Sequence, residues 1–103
     1  MQTQIHYQGL ESTSWTEDFM TSRVQKLERY LGPSASIQVH VKQINNQSYE
    51  AAIAVHGFKH DYAFRSTGEN LYQAFMLTLD KAVRTLSEEK RKLKDRIHRK
   101  FFT

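Results

Sequence analysis

Seven basic side chains stand between Lys90 and Lys100 against a single acid, Asp95. Lysine and arginine at that density make a surface that seeks polyanions, and nucleic acid is the commonest polyanion in a cell. Helical spacing sets Lys81, Arg84, Arg91, Lys92 and Arg99 on one side of a helix, about half a turn from an apolar stripe. Lys90 and Lys94 fall instead on the angular sector of that stripe, where a covering sheet would forbid them. The plainer reading of the same run is a solvated helix face. Glu88 and Asp95 interrupt it, and Glu88 can pair with Lys92 at i,i+4.

Other chemistries find less support. His6, His40 and His56 all project to one face of their strands by alternation, and three imidazoles can bind zinc. No carboxylate or cysteine sits at ligand spacing, however, and no His-x-x-x-His occurs on a helix, so exposed histidines are expected. His98 lies in the cationic tail and would add charge under mildly acidic conditions. The chain has no cysteine, which rules out disulfides and thiolate metal sites. No serine stands in a Gly-x-Ser-x-Gly elbow, and the four glycines are too scattered to cradle a phosphate. Trp15 could offer a stacking platform for a base, although packing under the sheet edge is the expectation. Phe101 and Phe102 read either as a fold-back staple or as a small apolar contact point.

The elements that must position these residues follow from periodicity. With 103 residues, 39% hydrophobic and 12% aromatic, the chain suits one modest core. Residues 3–7 alternate as a half-buried strand ended by Gly9. Ser14 to Glu17 has capping-box spacing and opens a helix that buries Phe19, Met20, Val24, Leu27 and Leu31 before Gly32-Pro33 stops it. Two alternating runs follow: Ile37, Val39 and Val41, then Tyr49, Ala51, Ile53 and Val55, joined by a polar turn at Asn45–Gln47. A shorter run carries Tyr62 and Phe64 after a Gly57–His60 turn. Ser66 to Glu69 repeats the capping-box spacing and opens the last helix. From Glu69 to about Lys100 nothing breaks it, and Leu71, Phe75, Leu79, Ala82, Leu86, Leu93 and Ile97 share one side.

The predicted fold is α+β, in the order β-α-β-β-β-α, with two helices on one face of a four-stranded sheet. A helix of about thirty residues spans roughly 45 Å, whereas strands of about seven span roughly 23 Å. The last helix must overrun the sheet, leaving its end in solution. Leu79, Leu86 and Leu93 stand seven apart, but core packing explains the first two better than a coiled-coil seam does.

Charge is segregated along the chain. The net charge is +4, yet residues 1–50 carry four basic and five acidic side chains, and residues 51–103 eleven and six. The N-terminus has no basic run leading into an apolar one, and no segment approaches membrane-spanning length, so a soluble cytoplasmic protein is expected.

Two stretches resemble a known family. Arg23-Val24-Gln25-Lys26-Leu27-Glu28-Arg29-Tyr30 is similar to the first-helix pattern of the bacterial ribosome hibernation factors, the group of hibernation-promoting factor and ribosome-associated inhibitor A, once called sigma-54 modulation proteins. Gly68 to Phe75, followed by Asp80-Lys81-Ala82-Val83-Arg84-Thr85-Leu86, resembles the second-helix pattern of that family. The likeness covers residues 1–97, with departures at Met76, at Gln73 and in the Phe101-Phe102 tail.

The resemblance implies a single non-catalytic domain without a cofactor. It would bind the small ribosomal subunit (16S rRNA and neighbouring proteins) in the messenger and transfer RNA channel, silence translation in stasis, and be a monomer off the ribosome. RNA contact passes by resemblance to Arg23, Lys26, Arg29, Lys81 and Arg84. Lys90, Arg91, Lys92 and Lys94 join them on charge and position. Arg23 projects near the buried stripe and could simply snorkel. The basic extension from about 88 to 103 completes the domain, and ending at Thr103 without a dimerising second domain reads as a short form. Two alternatives stay open: a general double-stranded RNA-binding module, and a protein-interaction module using the histidine-bearing sheet face.

Overall fold

Each strand buries alternate residues, so the sheet has one dry face and one wet face. The computed structural model describes residues 1–57 and 60–102, with the side chains of residues 1–57 and 61–92. Strands β1 (Gln2–Gln8), β2 (Ser36–Asn45), β3 (Ser48–Gly57) and β4 (His60–Gly68) form one sheet in the order β1-β2-β3-β4. β1 lies parallel to β2, which requires a crossover, and the remaining pairs are antiparallel. Ile37, Val39, Val41, Ala51, Ile53 and Val55 supply the sheet side of the core.

The crossover is α1 (Ser14–Val24), a 3-10 turn (Gln25–Leu27) and α2 (Glu28–Leu31). It buries Thr16, Met20, Val24, Leu27 and Leu31, while Phe19 is half-buried. Gly32 ends it with φ 85°, a left-handed conformation that glycine adopts without a Cβ clash. The last element, α3 (Leu71–Phe102), lays Ala74, Phe75, Thr78, Leu79, Ala82 and Leu86 on the sheet. The predicted α+β architecture is therefore the one observed.

Both helix starts differ from the sequence reading by one local choice. Thr13, not Ser14, caps α1, its hydroxyl accepting from the Thr16 amide at 3.1 Å. At α3 the strand runs on through Gly68, and the cap is Asn70, whose Oδ1 accepts from the Gln73 amide at 2.8 Å. Gln73 reaches back to accept from the Glu69 amide at 2.7 Å, so Asn70 and Gln73 do the work assigned to Ser66 and Glu69. β4 can run that far because residue 68 is glycine: a Cβ there would stand 2.8 Å from the Ala74 nitrogen.

Helix α3 has 32 residues, about 48 Å of rise, against about 33 Å for the ten-residue strands. The molecule extends 57 Å along its longest axis, so the helix does overrun the sheet. Leu86 is the last residue of the buried stripe among the described side chains. The side chains of Leu93, Lys94, Ile97, His98, Phe101 and Phe102, and the tip of the β3–β4 turn, lie outside the described residues.

Tyr7 carries a buried phenolic oxygen that has no hydrogen-bond partner among the described residues. Burial, and secondarily the charge of Glu17, raise its pKa above the usual tyrosine value. Leaving such a donor unsatisfied costs about 1–3 kcal/mol. Tyr7→Phe is therefore expected to hold or raise the melting temperature, read by circular dichroism. A clear fall would mean that the hydroxyl has a partner after all.

Candidate nucleic-acid interface

The two helical segments run side by side in the same direction. Near their starts the Thr16 hydroxyl and the Tyr72 phenol approach to 3.4 Å. At the far end of the crossover, Lys90 Nζ donates to the Arg29 carbonyl at 2.9 Å. The helices thus present adjacent outer surfaces, and the basic residues of both lie along them.

Lys26, Arg29, Lys81, Arg84, Lys90, Arg91 and Lys92 are all exposed. Their surroundings divide them. Among the described residues, the side chains of Lys26 and Arg91 make no hydrogen bond or ion pair. Arg84 pairs with Asp80 at 3.3 Å and Lys92 with Glu89 at 3.9 Å, both across open surface. Exposed pairs of this kind contribute roughly 0–1 kcal/mol, so a phosphate can displace the carboxylate. The partner of Lys92 is Glu89 at i,i+3 rather than Glu88.

Three of the expected contact residues also work inside the fold. Lys81 Nζ donates to the Arg65 carbonyl of β4 at 2.9 Å, tying the outer edge of α3 to the sheet. The Arg23 guanidinium lies 5.1 Å over the Phe19 ring and is half-buried, so it snorkels as its position near the stripe allowed. Lys90 corrects an expectation. It does not stand free on an overrunning helix: besides its bond to Arg29, it sits 5.9 Å over the Tyr30 ring. The carbonyl end of the crossover attracts cations, and Lys90 meets it there. The Arg29 guanidinium lies 6.0 Å over the same ring, so Tyr30 gathers cations from two helices.

Trp15 corrects a second expectation. It does not pack under the sheet edge but is 64% exposed. Its ring stacks on Phe19 at 5.6 Å and meets Tyr72 edge-on at 5.4 Å. Trp15 and Phe19 are one helical turn apart in sequence, whereas Tyr72 reaches them from another helix, a contact that helical spacing does not show.

The open sheet face carries the histidines, but not as a cluster. His6 and His40 are register partners with stacked rings 4.6 Å apart. His56 is paired with Ser36 and Asp61 in the ladders, four residues from His40's partner Ala52, and its Nδ1 stands 3.0 Å from Asp61. Among the described residues, no group of three or more His, Cys, Asp or Glu could hold a metal ion. A shallow trough of about 1000 Å³ lies on this face, floored by Ala52, Ala54 and Ala63 and flanked by His40 and Arg65. Arg65 is held by Glu50 at 3.4 Å, so this face lacks the concentration of open cations found on the helices.

A family model described as sigma 54 modulation protein / S30EA ribosomal protein matches residues 3–94. No curated protein matches the chain significantly. Among solved structures, the N-terminal domain of Thermus thermophilus Protein Y superposes with a TM-score of 0.78 at 18% identity, covering 85% of this chain and 98% of that one. A ribosomal subunit interface protein from Coxiella burnetii superposes with a TM-score of 0.68 at 16% identity, covering 88% and 99%. At these identities the two structures share the fold.

Proposed function

The chain belongs to the sigma 54 modulation protein / S30EA ribosomal protein family, and on that footing we propose that it binds the small ribosomal subunit and silences translation by occlusion. The observation that carries this reading is the parallel helix pair with exposed cations on both members, above all Lys26, Arg29, Arg84, Arg91 and Lys92. Ribosomal RNA offers shaped arrays of phosphate, so affinity comes from charge and position from shape. Two helices fixed to one sheet present their cations as a rigid set, which selects a matching phosphate array over a mobile one. Arg23, Lys81 and Lys90 contribute positive potential from positions partly committed to the fold, and Lys94 belongs to the same extension by sequence.

In this reading the mechanism needs no bond to be made or broken. The domain, with its helical extension from about residue 88, occupies the channel in which messenger and transfer RNA bind, and neither can enter while it is there. The place of action is the cytoplasm, where the ribosomes are. The Coxiella protein's description as a ribosomal subunit interface protein supports the same partner.

Co-sedimentation with purified ribosomes, at low and moderate salt and with naked duplex RNA as competitor, tests this. The expected result is migration with the small subunit that survives moderate salt and excess duplex. Transfer to the duplex would replace this reading with a general double-stranded RNA-binding module. Binding to neither would remove the helix pair as an RNA surface.

A further inference from the structure

Where the two helical segments begin, the protein exposes more large apolar side chains than a core requires. Trp15 is 64%, Met76 39% and Tyr72 38% exposed. This tryptophan is nonetheless held in place. Phe19 stacks beneath it with the rings 11° from parallel, and Tyr72 buttresses both rings edge-on, at 5.4 Å from each. Phe19 is itself anchored on the fully buried Phe75, 6.1 Å away. One large π surface is thus rigid and open to solvent, a combination that loses little entropy on binding.

What lies beside it indicates the occupant. Trp15, Phe19 and Arg23 follow at steps of four, so they share one flank of the first helical segment, and the Arg23 guanidinium lies over the second ring. One further turn along, Lys26 and Tyr30 continue that flank, with Lys90 from α3 over Tyr30. The charged groups set over the rings are cations: Arg23 over Phe19, and Arg29 and Lys90 over Tyr30. Glu17 lies on the opposite flank, where its charge acts on Tyr7 of the sheet. Asp18, the nearest acid on the helix, is turned about a sixth of a revolution from Trp15 toward solvent. A flat apolar platform that runs into a row of cations fits a single strand of nucleic acid, with bases for the rings and phosphates for the row.

We propose that Trp15 is a stacking platform for an unpaired RNA base, with Arg23 and Lys26 taking the phosphates of the strand that carries it. This rests on the reading of the helix pair as an RNA-binding surface and adds a preference that phosphate contact alone would not give. Unstacked nucleotides in loops, bulges and ends become the favoured contact, because a base inside a duplex has no free face to offer.

Trp15 is the single tryptophan of the chain, so its fluorescence reports on this site alone. The protein is titrated with oligoadenylate of about ten nucleotides, with a duplex of equal length, and with a lysine- and arginine-rich peptide. Saturable quenching by the oligoadenylate, and not by the duplex, is expected. In anisotropy with a labelled oligoadenylate, Trp15→Ala is expected to bind roughly tenfold more weakly or worse, whereas Trp15→Phe stays within a few-fold. At 64% exposure neither substitution empties the core, so both should fold. Flat fluorescence, or an alanine variant that binds as tightly as the parent, would overturn the platform. Quenching by the peptide in place of the RNA would overturn it in favour of a cationic protein partner. Parallel ribosome co-sedimentation separates the two claims: retained ribosome binding with flat fluorescence removes only the platform, and lost ribosome binding with intact oligoadenylate quenching removes only the ribosomal reading.

Discussion

Reversing three open cations together (Lys26→Glu, Arg84→Glu and Arg91→Glu) is expected to weaken ribosome binding by two orders of magnitude or more with little change in melting temperature. All three residues are exposed, and among the described residues their one ion pair is the surface pair of Arg84 with Asp80. For each phosphate neutralised, log affinity changes by about 0.7–0.9 per decade of salt, so at ~0.15 M one contact is worth about four- to fivefold. Three lost contacts therefore remove about a hundredfold, and the repulsion of three new carboxylates adds to it. The salt slope should flatten by about 2–3 at the same time. Co-sedimentation across a salt series measures both quantities. A triple variant that binds normally with an unchanged slope would place the interface elsewhere on the molecule. Lys90 is unsuitable for this purpose, because its bond to the Arg29 carbonyl mixes binding with the joining of the two helices.

The largest stability effect is expected at Phe75. Its side chain is fully buried near the start of α3, against the core and Phe19. Phe75→Ala deletes a ring from a packed interior and costs about 3–5 kcal/mol, a large share of the 5–15 kcal/mol that holds a domain together. For a domain of this size the melting temperature should fall by more than about 10 °C, followed by calorimetry or far-ultraviolet circular dichroism. The consequence reaches function, since Phe75 seats α3 and supports Phe19 beneath Trp15. A fall of a degree or two would mean that α3 is not anchored through this residue.

Much of this architecture was legible in the chain because its periodicities are clean. Alternation in Ile37, Val39 and Val41 and in Ala51, Ile53 and Val55 named the dry face of the sheet, and every one of these residues is buried. Steps of three and four through Phe75, Leu79, Ala82 and Leu86 named the seam of α3. The helix starts were missed by a few residues because several Ser, Thr and Asn side chains compete for each cap. Only the backbone path, with β4 running to Gly68 against Ala74, selects Asn70. Thr78 was also missed. Its hydroxyl, buried in an apolar seam, donates to the Ala51 and Ala74 carbonyls at 2.9 and 2.8 Å, and no local pattern announces a partner 27 residues away.

The candidate site divides along the same line. Residue types and intervals along one helix are local quantities, so the sequence by itself determined which cations lie on which helix, which residues form each apolar stripe, and that α3 outruns its sheet. Contacts between elements are not local. That Lys90 closes on Arg29, that Lys81 is tied to β4, that His56 stands apart from His6 and His40, and that Tyr72 crosses from α3 to hold Trp15 open were decided only by the tertiary structure. Helix placement on the sheet sets these distances, and that placement comes from the packing of two apolar stripes, a property of the pair that neither stripe carries alone.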